Sequence, residues 1–297
     1  MTGAPPLHAC GLYEDGTCDV VGNPALLFPW WSVTKTAIVI CALRLAERGA
    51  LELDAPLPGE PFTLHQLLTH RAGLPDYGSL PAYHAAVRGD EEPWPRDVLL
   101  EAALAQGRPF PPGQGWRYSN VGYLLARERI EAVAGQGLGV LVREHIAGPL
   151  GLGSVELAET RAQFARTAWP AARRYHPGWV YHGCLIGTAR DAAAMMQGLF
   201  AGRLLGPKSL VRMRETLRLG GGLPGRPWTE HGYAMGLMSG AVGTAGRAIG
   251  HSGAGPFCVN AVYHFPDLPR PVTFATFTKG HDEGVAEREA VRLAVSG

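Results

Sequence analysis

The sequence predicts a mixed α/β (α+β) fold: an antiparallel sheet flanked by helices, built from both ends of the chain, with a mainly helical domain inserted between its halves. Three observations predict it. Strand-like segments bounded by turn residues occur at 7–28 and return after Gly220-Gly221-Gly222. Helical patterns occupy most of the chain between them. The helix that begins at Ser32 is apolar on every side, so it must lie in the middle of the fold, against both sheet and helices. The sheet domain is expected to comprise residues 1–57 and 220–297, and the helical domain 58–219.

Taken in order, Leu7 to Tyr13, an Asp15-Gly16 turn and Cys18 to Val21 read as a hairpin, closed by the Gly22-Asn23-Pro24 break. A helix follows from Ser32 to Arg48, with Gly49 placed as its left-handed cap. Thr63 caps a short helix through His70. Further helical patterns run from about Arg96 to Gln106, Val121 to Ala134 and Leu138 to Ile146. Thr188 and Asp191 have capping-box spacing for a helix to about Ala201, and Lys208 to Leu217 makes another. Strands are expected at Tyr233 to Ser239, Arg247 to His251, Phe257 to Phe265 and Val272 to Thr278, with a closing helix from about Asp282.

Composition narrows the function classes. A hydrophobic fraction of 46% and a formal charge of +1 fit a globular chain and lack the basic excess that nucleic-acid binding calls for, so small substrates are favoured. No run reaches the roughly 18 apolar residues of a membrane span. Met1 to Cys10 has no basic segment followed by an apolar one, so no signal peptide is read and a cytoplasmic location is expected. The five cysteines, Cys10, Cys18, Cys41, Cys184 and Cys258, share no metal-type spacing and read as free thiols; no metal or cofactor is called for. Of 27 basic residues only Lys35, Lys208 and Lys279 are lysines. Where arginine is the default cation, a lysine points to chemistry, because an amine can lose its proton in a protein.

Ser32-Val33-Thr34-Lys35 sets a hydroxyl and an amine three residues apart at a helix start, on one face. A serine needs a neighbouring base to act as a nucleophile, and a lysine desolvated under an apolar helix can have its pKa lowered enough to serve. The rival reading is an N-cap serine and an unrelated lysine. Chance would place such a pair roughly 0.1 times in a chain of this composition, so the pair needs company. Tyr118-Ser119-Asn120 follows Pro111-Pro112-Gly113 on a loop. A tyrosine near a lysine can have its pKa depressed and relay protons, and an asparagine can grip a substrate amide, although Asn120 alone also reads as an N-cap and Tyr118 as a packing residue. His251-Ser252-Gly253 ends a strand ahead of Ala254-Gly255-Pro256, where Gly253 lets a ligand approach the backbone. Gly250-His251-Ser252-Gly253 fails as a nucleophile elbow, because position 254 is Ala and a strand-rich region follows.

These three motifs, in this order, resemble the signatures of the serine β-lactamase and penicillin-binding-protein (DD-peptidase) superfamily, in its class C β-lactamase-like branch. Leu51-Glu52-Leu53-Asp54, Leu67 to Leu74, Pro149 to Leu152 and Gly187 to Asp191 resemble that branch's recurring segments. The resemblance implies a sheet domain packed on a helical domain, with the site in the cleft between them. Ser32 would attack a carbonyl and carry the acyl group, and Lys35 and Tyr118 would move its proton. Asn120, His251, Ser252 and Gly253 would hold substrate, and the backbone amides of Ser32 and Ala254 would form the oxyanion hole.

One departure shapes the expectation. Dedicated β-lactamases of the branch usually carry Lys where this chain has His251, and an ordinary histidine is mostly neutral above pH 7. Lys279-Gly280 lacks the Lys-Thr/Ser-Gly form that could replace it. Trp30 and Trp31, directly before Ser32, either pack beneath the helix or narrow the acyl pocket; packing is the reading preferred. Tyr181-His182-Gly183 is a candidate cleft segment, although a lone histidine is more often structural. The reading is therefore an esterase or D-alanyl-D-alanine carboxypeptidase-like serine hydrolase acting on small esters, D-amino-acid peptides or amides. The alternatives are a class C-like β-lactamase and a non-catalytic penicillin-binding or sensor protein.

Overall fold

The computed structural model describes residues 6–297; residues 1–5, part of the stretch read for a signal peptide, lie outside the described residues. The first half of the chain forms β1 (Leu7–Tyr13), β2 (Cys18–Val21), β3 (Phe28–Pro29), α1 (Thr34–Glu47), α2 (Leu64–Leu68), α3 (Pro81–Arg88), α4 (Arg96–Leu104), α5 (Asn120–Ala134) and α6 (Leu138–Val142). A π-helical turn at Arg143–Ala147 leads to α7 (Gly148–Leu150), β4 (Glu156–Ala158), α8 (Arg161–Phe164), β5 (Cys184–Gly187), α9 (Ala189–Phe200) and α10 (Pro207–Met213). The chain closes with β6 (Leu217–Gly220), β7 (Glu230–Tyr233), β8 (Met238–Ala241), β9 (Arg247–Ala254), β10 (Cys258–Phe265), β11 (Val272–Lys279) and α11 (Glu283–Ser296).

Eight strands form one antiparallel sheet in the order β2-β1-β11-β10-β9-β8-β7-β6, so β1 pairs with β11 and the two chain ends meet inside the sheet, as expected. A small second sheet, β3-β5-β4, was not foreseen; its strands are two to four residues long, too short for an alternation to show. Period-two alternation gives the main sheet two different faces. Val259, Ala261, Tyr263 and Phe265 of β10 pack with Ala286, Ala290 and Ala294 of α11. Val262, Ile249 of β9 and Phe277 of β11 join the larger core that contains α1 and α9.

Helix α1 is the centre of that core. Ile38, Val39, Ile40 and Leu43 are at most 1% exposed, and burying each such side chain contributes about 1.5–3 kcal/mol. Its entry differs from the expectation: Trp31–Val33 form a 3-10 turn and the α-helix starts at Thr34. Side chains three apart nearly eclipse in a 3-10 turn, so the Ser32–Lys35 pairing survives the change. At the other end Gly49 adopts φ +72°, as expected of the cap.

Two element boundaries were misread. The single strand expected at Tyr233 to Ser239 is the end of β7, a turn and the start of β8. The turn rests on α1: Gly236 has φ +63°, a Cβ there would come 2.9 Å from the Lys35 carbonyl oxygen, and Thr36 Oγ1 donates to the Gly236 oxygen. The helix expected to reach Leu217 stops at Met213, because Leu217 already belongs to the exposed edge strand β6, which carries no inward-outward pattern. Helix α9, within the stretch assigned to the helical insertion, packs on β1 and β11 of the main sheet.

Candidate active site

The site forms where the mouth of α1 meets the loop before α5, the loop before β5 and the end of β9. Ser32 sits in the 3-10 turn and Lys35 in the first turn of α1, fully buried. Lys35 Nζ lies 3.2 Å from Ser32 Oγ, and the Tyr118 hydroxyl donates to the same oxygen over 2.8 Å. Two more groups close around the amine. Lys35 Nζ donates to Asn120 Oδ1 at 2.7 Å and lies 3.2 Å from His182 Nε2.

Asn120 is held from behind. Its backbone N–H donates to Asp76 Oδ1 at 2.8 Å and its Nδ2 faces Asp76 Oδ2 at 3.3 Å, so the amide turns its oxygen to Lys35. Ser119, not Asn120, is the N-cap of α5: its Oγ accepts from the Gly122 N–H. The Tyr118 loop is fixed by His70, whose φ is +58°, whose Nδ1 accepts from the Ser119 N–H, and whose ring lies 4.3 Å from that of Tyr118. Asp76 and His70 were not singled out in the sequence. Asp76 lies in a loop, and His70 at a helix end inside the family-like stretch Leu67 to Leu74; they are 44 and 49 residues from their partners, and no spacing rule connects them.

Electrostatics set the protonation states. Burial pulls Lys35 down to about 7, with Asp76, Glu283 and Cys184 opposing the shift. Burial also holds His70 and His182 well below the ordinary histidine range, assisted by the charge on Lys35. The Tyr118 phenol is pushed well above its usual value by burial, against its bond to Ser32. The expectation of a depressed tyrosine is therefore corrected: desolvation outweighs the bond to Ser32, and Tyr118 rests as a protonated hydroxyl.

The third motif divides between the two faces of the sheet. His251 points to the α1 side, with Nε2 3.0 Å from the Tyr233 hydroxyl and its pKa lowered to about 3, chiefly by burial and then by Lys35. Ser252, expected to hold substrate, points the other way. Its Oγ donates to Glu287 at 2.5 Å and lies 2.7 Å from the Tyr263 hydroxyl, beneath α11. Strand alternation forbids neighbouring residues from sharing a face. Gly253 returns to the α1 side, where a Cβ would meet Trp31 Cβ at 2.8 Å and the Trp30 carbonyl oxygen at 2.9 Å. Its smallness therefore seats the turn that carries Ser32.

Ser32 opens onto a cavity of about 460 Å³ walled by Trp31, Tyr77, Tyr83, Tyr175 and Trp179, with Asn120, His182 and Ala254 also on its surface. Trp30 is fully buried and packs against Gly187, whereas Trp31 takes φ +45° and lines the cavity, so each expected role falls to one of the two. Among the described residues no cluster of three or more His, Cys, Asp or Glu side chains is arranged to hold a metal ion.

The sequence profile of the Beta-lactamase family matches residues 21–296. The chain belongs to that family. Penicillin-binding protein 4* of Bacillus subtilis (strain 168) is 31% identical over 167 residues, which are 52% of this chain and 35% of the relative. Esterase EstB of Burkholderia gladioli is 35% identical over 146 residues, 42% of this chain and 37% of the relative. The chain thus spans about a third of the length of these two family members. Among solved structures, a D-stereospecific amidohydrolase from Streptomyces sp. superposes with a TM-score of 0.81 at 24% identity, over 98% of this chain and 94% of that one. The D-amino acid amidase from Ochrobactrum anthropi SV3 gives 0.81 at 20% identity, over 99% and 92%. The mixed α/β architecture with its antiparallel sheet is thus the family's fold. No helix among the described residues is long and apolar enough to cross a membrane.

Proposed function

We propose that this protein is a serine hydrolase that acts through a covalent acyl-enzyme on small esters, D-amino-acid amides or D-amino-acid peptides. One observation carries the reading: Ser32 Oγ lies between Lys35 Nζ and the Tyr118 hydroxyl at the wall of an aromatic cavity. With its pKa brought down to about 7, Lys35 is available as a neutral amine at physiological pH. Ser32 Oγ bonds to the substrate carbonyl carbon while its proton passes to Lys35. As the tetrahedral intermediate collapses, the leaving oxygen or nitrogen takes the Tyr118 proton, and Lys35 returns one to Tyr118. Water then cleaves the ester on Ser32 by the reverse route.

The oxyanion is assigned to the backbone amides of Ser32 and Ala254. In support, Gly255 N–H bonds to Cys258 on β10, so by antiparallel alternation the Ala254 amide faces the opposite edge. Pairing with β8 ends at Gly250, which frees that edge beside the cavity.

His251 favours esters and amides over β-lactams. Held neutral and close to Tyr233, it supplies no fixed positive charge for the carboxylate of a penicillin or of a peptide terminus. The names of the relatives point the same way: an esterase, a D-aminopeptidase of Cereibacter sphaeroides and D-amino acid amidases. Five free thiols support the reducing, cytoplasmic compartment expected from the sequence. The test is covalent labelling. A fluorophosphonate probe should mark the wild-type protein and leave Ser32→Ala unmarked, with loss of p-nitrophenyl ester hydrolysis; labelling that persists in Ser32→Ala would sink the assignment.

A further inference from the structure

The amine of Lys35 has three polar neighbours besides the aromatic rings of Tyr118 and Tyr123, and their donor and acceptor capacities can be counted. A neutral amine has two N–H bonds and one lone pair. Asn120 Oδ1 takes one N–H, and it is fixed as the acceptor because Nδ2 faces Asp76. Ser32 Oγ already accepts from Tyr118, which leaves its own proton free to point at the lone pair. The second N–H needs an acceptor, and among the described residues the only remaining polar side chain within hydrogen-bond reach is His182, with Nε2 at 3.2 Å.

We propose that His182 is a positioning residue for the base: as the Nδ1–H tautomer it accepts an N–H of Lys35 at Nε2, and with Asn120 it aims the amine lone pair at Ser32. This rests on the reading of Lys35 as the base of an acyl-transfer site. The same three neighbours suit the protonated state, in which three N–H bonds meet Asn120, His182 and the Ser32 oxygen. Base and conjugate acid are thus both satisfied without rearrangement, which a buried amine that titrates during turnover requires. Without His182 the amine can rotate and present an N–H to Ser32 instead of the lone pair. A histidine in the loop before β5, in a segment read from sequence as a candidate for the cleft but without a role, therefore has a specific task.

The acidic limb of the rate profile reports on Lys35, and the groups that face it are Asp76, Tyr118 and Tyr123, His70, His182 and Cys184, His251, and Glu283 at the start of α11. His182→Leu should lower kcat/KM for a p-nitrophenyl ester on the order of 10²-fold, mostly in kcat. It should also move the acidic limb to lower pH, because the ammonium loses a stronger bond than the amine does. His182→Gln, whose Oε1 reaches near the Nε2 position, should recover most of both effects. A 15N–1H correlation spectrum of the wild type should show His182 neutral with its proton on Nδ1. The proposal is overturned by a neutral Nε2–H tautomer, or by a His182→Leu variant that keeps the wild-type plateau and limb, whatever its Tm. The tautomer is read without turnover, so activity surviving in Ser32→Ala would defeat the functional reading separately.

Discussion

Asn120 connects Lys35 to Asp76: its amide oxygen accepts from Nζ at 2.7 Å, while its backbone N–H and Nδ2 face the carboxylate at 2.8 and 3.3 Å. Asp76 thus lies one residue behind the amine and is the largest of the charges that hold the Lys35 pKa up against burial.

The first prediction concerns pH. If neutral Lys35 is the base, kcat/KM for an ester rises with pH through about 7 and then levels. Asp76→Asn removes the charge that favours the ammonium, so its acidic limb should move to lower pH, with a fall in the plateau as Asn120 loses its anchor. A pH–rate series on both proteins checks this, and a limb that stays in place would contradict the coupling.

Stability follows from the same group. The folded-state pKa of Lys35 lies below the 10.5 of a free lysine, so between about 7 and 10.5 the unfolded chain binds more protons and this group makes stability rise with pH. Below about 7 the full cost of the buried charge applies. Lys35→Met should abolish labelling and raise Tm at pH 6 relative to its effect at pH 10, as measured by calorimetry at the two values.

His251 should contribute no ionisation near pH 6.5, because it titrates near 3. In His251→Gln the acidic limb should stay near 7 even if the rate falls. A limb that disappears in this variant would assign it to His251 instead of Lys35.

Gly253 and Ser252 test the two faces of β9. In Gly253→Ala the new methyl meets Trp31 and the Trp30 carbonyl at under 3 Å, so the turn that carries Ser32 must shift. We expect a loss of about 1–3 kcal/mol and a large fall in kcat. Ser252→Ala leaves Glu287 and Tyr263 short of a partner beneath α11, with a loss of about 1–3 kcal/mol but kcat/KM within about twofold of wild type. Urea titration and ester kinetics separate the two patterns.

Much of this was legible in the sequence because it is local or periodic. The β1–β2 hairpin, the all-round apolar helix α1 and the Thr63 and Thr188 caps rest on patterns within a few residues of one another. The errors fall where tertiary contact overrides local pattern. The turn at Gly236 exists because α1 passes beneath it, and the first turn at Ser32 is 3-10 and begins at Trp31, which is held at positive φ between Gly253 and the cavity.

The sequence alone put Ser32 and Lys35 on one face at a helix start, and the resemblance of the three motifs to the family's signatures implied Tyr118 and His251 beside them. Only the tertiary structure decided the rest. Asn120 and His182 come to Lys35 from 85 and 147 residues away. The lowered pKa of Lys35, on which its proposed role as base rests, belongs to no residue, because it comes from the water that the packed core excludes. Alternation required that His251 and Ser252 face opposite ways, but which of them lies beside Tyr118 and Tyr233 depends on which side of the sheet α1 covers.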